Sequence, residues 1–189
     1  MSEPNLSKAV ADATNFLSEV HADVRAMLVS LEAAMERAGW LPWDKKITTA
    51  DFKATLRGEW LLWWCYRFYA PKGAGETFDR LIAVVCHLSP PDGADHDYAT
   101  LTAAAVRFPR PTTFAETYGS WNGTVVVTRA ALGGAVVTLA PADLTEFSPH
   151  ASAVAALAFP LCELTSEADL EERLVRPLLA AEAALGAQQ

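Results

Sequence analysis

The apolar residues Leu6, Val10, Ala13, Leu17, Val20, Val24, Met27, Leu31, Ala34 and Ala38 recur at alternating steps of four and three. With about 3.6 residues per turn, that spacing gathers them on one stripe of a helix. Gly39 follows where a left-handed residue commonly ends a helix. At ~1.5 Å per residue the helix spans about 50 Å, more than a small domain needs to cover one face of its sheet. Part of it is therefore expected to meet a partner. Phe16, Leu28, Val29 and Met35 add apolar surface beside the seam. Pairing two such helices across a two-fold axis would cover that surface, so a homodimer through this helix is expected.

Three runs dense in β-formers come next, Trp60 to Tyr69, Arg80 to Leu88 and Thr100 to Phe108. The connections carry Pro71-Lys72-Gly73-Ala74-Gly75 and Pro90-Pro91-Asp92-Gly93, turn chemistry that predicts an antiparallel meander. Thr48 with Asp51 predicts a short helix ending near Gly58, and Thr113 with Glu116 a second ending near Asn122-Gly123. Thr124 to Arg129 and Ala135 to Leu139 read as a hairpin around Gly133-Gly134. Ser148-Pro149 reads as the start of a helix over Ala151 to Phe159, with a strand as the alternative. Ser166 with Asp169 caps a last helix that Pro177 should kink or split.

The expected class is α+β, a single domain over 1–189. A long helix occupies 1–39, an antiparallel sheet of about five strands 59–140, and a helical region 141–189.

The chain has 189 residues, half of them hydrophobic (51%), enough for a sizeable core. A net charge of −8 argues against nucleic acid or an anionic membrane as the main partner, because both bind positive surfaces. No apolar run reaches the ~18 residues of a membrane span, and the polar start lacks a cationic leader, so a cytoplasmic protein is expected. Cys65, Cys86 and Cys162 sit in apolar runs without Cys-x-x-Cys spacing and read as buried free thiols.

The order of long helix, three strands, short helix, two strands and helices resembles the type III secretion chaperone-like fold. Local points of likeness are Trp121-Asn122 before the hairpin and Ala135 to Leu144 leading into the next helix. The resemblance implies a small acidic dimer that binds other proteins.

No phosphate loop, dinucleotide fingerprint, nucleophile elbow or His-Glu-x-x-His occurs, and no cofactor is expected. Asp92, Asp95, His96 and Asp97 form the one cluster with metal-ligand chemistry, weighed against a solvated acidic turn. It carries the alternative reading, a metal-dependent hydrolase. In a meander Arg67, Arg80, Arg107 and Arg110, with Lys72, gather at one sheet edge, as an anion site or as surface ion pairs. Trp63 and Trp64 point to opposite faces of a regular strand, so Trp63 is a candidate to line a groove there. The preferred expectation is a non-enzymatic binding or regulatory protein that engages a protein partner or an anionic ligand.

Overall fold

The computed structural model describes residues 6–43, 64–88, 97–118 and 132–187. The predicted helices over 48–58 and the strand 124–129 lie outside these residues. So do Trp60, Trp63, Trp121, Asp92, Asp95 and His96.

The first helix, α1, is Leu6–Arg37. It stops as expected at Gly39, whose φ of 83° is a conformation that costs glycine little. Strand β1 (Trp40–Pro42) pairs with β2 (Trp64–Pro71), which continues the meander to β3 (Thr77–His87) and β4 (Thr100–Thr113). The predicted α+β class stands, with six strands rather than about five, all antiparallel, in the order β1-β2-β3-β4-β6-β5. The pairing of β3 with β4 shifts between Phe78 and Arg80, opposite Pro109 and Pro111. Prolines lack the amide that a regular ladder uses, so an irregularity is where β4 can hold them.

Helix α2 (Phe114–Tyr118) begins with the predicted capping box. The Thr113 amide donates to Glu116 Oε2 at 2.8 Å, and the Glu116 amide donates to Thr113 Oγ1 at 3.3 Å.

Strand β5 (Val137–Thr138) leads into α3 (Pro141–Phe147). There the helical expectation for Ala151 to Phe159 fails: Ala153–Pro160 is strand β6, inserted between β4 and β5 inside the region expected to be helical. Ser148 ends α3 instead of starting a helix: its backbone is extended at φ −162°, ψ 120°, as a residue before proline prefers, and its amide donates back to the Leu144 carbonyl. Alanine is the strongest helix former, but propensity is small per residue, and burial on both faces overrides it. Ala104 and Ala105 of β4 face Ala156 and Ala155 of β6, so small residues meet small ones across the ladder.

The carboxy-terminal helix is split, as Pro177 predicts. Helix α4 (Glu167–Asp169) opens on Ser166, whose Oγ accepts the Asp169 amide at 3.1 Å. Leu170–Val175 then winds as a wider π-helix, and α5 (Arg176–Gly186) carries Pro177 in its first turn. A proline there has no amide to give, and the wider winding absorbs the mismatch.

Both faces of the sheet are covered. On one, Ile82, Val84, Leu101, Ala103, Leu157 and Phe159 pack against α1 and the carboxy-terminal helix. On the other, Tyr66, Phe68, Phe78, Val106 and Phe108 join Trp43 and Phe114, with the Trp43 and Phe114 rings stacked at 5.7 Å.

Two sequence assignments on α1 change. Leu28 and Met35, expected beside the seam, are buried with Val24, Leu31 and Ala34, whereas Ala38 is exposed. The helix is rolled so that positions 24, 28, 31 and 35 meet the sheet, a stripe next to the one drawn through 27 and 38. Phe16 and Val29 remain exposed as expected.

Candidate functional site

The meander does bring two of the four singled-out arginines together. Arg80 and Arg107 are register partners on β3 and β4. Both are held by Glu182 of α5. Arg80 Nη1 lies 3.4 Å from Glu182 Oε1, and Arg107 Nη2 pairs with the same oxygen and donates to the Glu182 carbonyl at 3.3 Å. Gly186, one turn later, leaves space for this approach, since a Cβ there would sit 2.5 Å from Arg107 Nη2. The Arg80 guanidinium also lies over the Trp40 ring, 5.4 Å from its centre.

Arg67 stands apart from that pair, in mid-strand opposite Val84 and only 2% exposed. Its Nη2 donates to Glu32 Oε2 of α1 at 2.7 Å, while Nε and Nη1 reach no hydrogen-bond partner among the described residues. Beside it Tyr69 is fully buried; burial pushes its phenol up, and the Arg67 charge opposes that. Arg110 and Lys72 are exposed; Glu116 is lowered by hydrogen bonds from the Thr113 amide and the Thr112 and Thr113 hydroxyls, and least by the Arg110 charge.

An anion arriving at Arg67, Arg80 or Arg107 has to compete with a carboxylate the fold already supplies. Glu32 and Glu182 were the residues the sequence reading missed. A signal for them existed: Glu32 lies between Leu28, Leu31 and Met35, and Glu182 between Leu178 and Leu185, so each carboxylate interrupts a buried stripe.

Cys65 and Cys86 are register partners and buried as expected, whereas Cys162 is exposed. The Cys86 thiol donates to the Cys65 sulfur, which lowers the Cys65 value. That bond and burial raise Cys86. Of the acidic loop, Asp97 is exposed, and its three companions fall outside the described residues. Among the described residues no three His, Cys, Asp or Glu side chains are grouped to hold a metal ion, and no helix is long and apolar enough to cross a membrane.

Among the described residues, the exposed large hydrophobic side chains gather most in the amino-terminal half of α1. Leu6, Val10 and Phe16 are 75%, 58% and 64% exposed, and Ala13 is exposed with them. Their stripe continues through half-buried Leu17 and Val20 into an open groove of about 780 Å³. Val20, Val24 and Met27 form one wall of the groove; Tyr98, Leu161, Cys162, Leu164 and Leu170 form the other. Asp23 and Glu167 place carboxylates at its lining, which among the described residues holds no lysine or arginine. Ser30 donates to Glu167 across the α1 and α4 side of the groove at 3.0 Å. No family model, curated protein or solved structure matches the chain.

Proposed function

We propose that this chain is a non-enzymatic, chaperone-like binding protein that acts as a homodimer and docks through the amino-terminal half of α1. One observation carries the reading: a helix whose second half is buried against the sheet leaves Leu6, Val10 and Phe16 uncovered in its first half. Folded chains seldom expose contiguous apolar surface without using it, because each square ångström costs about 25 cal/mol relative to burial. The arginines of the sheet support the same reading, because Glu32 and Glu182 engage them as ties between helices and sheet. A long first helix ahead of an antiparallel meander, the part of the resemblance to type III secretion chaperones that survives the reassignment of Ala153–Pro160, accords with it.

Light scattering across micromolar concentrations tests the proposal. The expected mass is twice 20.4 kDa. A mass near that of one chain at every concentration overturns it.

A further inference from the structure

The docking reading leaves open where the bare half of α1 goes, and the groove answers in chemistry and in register. The stripe that is bare at Leu6 and Val10 becomes the groove wall at Val20, Val24 and Met27, so one helix carries both an apolar plug and half of a socket. The charges are complementary too. Asp23 and Glu167 line the groove, whereas the first turn of α1 holds no acidic residue and presents the positive end of the helix dipole; Lys8 in that turn is paired with Asp12 at 2.6 Å. An acidic partner would meet like charge there.

A second copy of the chain satisfies both conditions at once. With two α1 helices antiparallel about a two-fold axis near Asn15, Leu6 of each falls opposite Val24 of the other. Val10 then faces Val20, and Ala13 faces Leu17. A two-fold interface of this kind uses the same patch on both subunits and closes on itself. We propose that the groove is the seat for the amino-terminal turn of α1 from a second copy, each copy filling the other's groove with Leu6 and Val10. The proposal rests on the docking reading above and specifies its geometry.

Cys162 supplies the test, because it lines the groove and is exposed while Cys65 and Cys86 are buried. In the full chain, Leu6→Cys under mild oxidation should move most of the protein to a doubled mass on a non-reducing gel. Peptide mapping should find residue 6 joined to Cys162. The parent should stay unlinked, and Cys162→Ser in the Leu6→Cys background should abolish the link. Asn15→Cys combined with Cys162→Ser should stay unlinked, because residue 15 lies on the side of α1 away from the seam. If light scattering shows a dimer yet residue 6 does not join Cys162, or joins residue 6 of the other copy, the groove proposal fails while the docking reading survives. A Leu6→Cys chain and a parent that are both monomeric overturn the docking reading itself.

Discussion

The two halves of α1 share one apolar spacing and meet opposite surroundings. From Val24 to Met35 the helix buries five residues, and Glu32 ties it to the sheet through Arg67. From Leu6 to Phe16 every side chain is exposed, and the ion pair there, Lys8 with Asp12 at 2.6 Å, joins two residues of the helix itself. Periodicity in a sequence thus reports that a helix has an apolar face. It does not report what covers that face, because cover comes from elements far along the chain. The second half is covered by strands and by the carboxy-terminal helix, with Ser30 reaching Glu167 and Arg37 reaching Glu171. The first half, by contrast, leaves Leu6, Val10 and Phe16 exposed.

Substitutions should separate the halves sharply. Glu32→Ala should cost about 3–5 kcal/mol in urea unfolding, because it strands the Arg67 charge in a site that is 2% exposed. If this variant unfolds like the parent, the tie between helix and sheet is not structural. Leu31→Ala should follow at about 2–5 kcal/mol, since Leu31 is fully buried. Val10→Ala in the first half should change the stability of the monomer by less than about 0.5 kcal/mol.

A charge placed in each half gives a third contrast. Val24→Glu should unfold the chain, whereas Phe16→Glu should leave a folded monomer, with circular dichroism and light scattering read together. A folded Val24→Glu protein would erase the distinction between the halves.

Acid should loosen the helix start that Ser30 of the second half reaches through Glu167. Asp169 at the start of α4 is held below its ordinary value by hydrogen bonds from Ser166 and Thr165. A lowered carboxylate stabilises the fold above its unfolded pKa, and the effect is lost as pH falls through the folded value. Urea midpoints should therefore drop below about pH 4, and Asp169→Asn should flatten that dependence. The smallest effect belongs to Lys8→Ala, at most about 0.5 kcal/mol for an exposed pair four residues apart.

Much of the fold was legible because its signals are local. Gly39 stops α1, Thr113 with Glu116 and Ser166 with Asp169 cap their helices, and the turn at Gly73 closes the meander where predicted. What stayed hidden is decided at a distance. Ala153–Pro160 is a strand because β4 and β5 flank it, a fact no window of eight residues contains. The roll of α1 toward Leu28 and Met35 depends on which neighbouring stripe the sheet meets. The arginines were visible as a group, but their partners Glu32 and Glu182 come from the two ends of the chain, and nothing nearby couples them.

The long span between those ends has a consequence for synthesis. Helix α1 is made first, yet part of its cover, the π-helical turn around Leu174, is made nearly last. At about 5–20 residues per second, the stretch from Met35 to Leu174 takes roughly 7 to 28 seconds. For that interval the nascent chain presents both halves of the apolar stripe without its final cover. A newly made α1 is therefore, for some seconds, the kind of surface that holding factors at the ribosome bind.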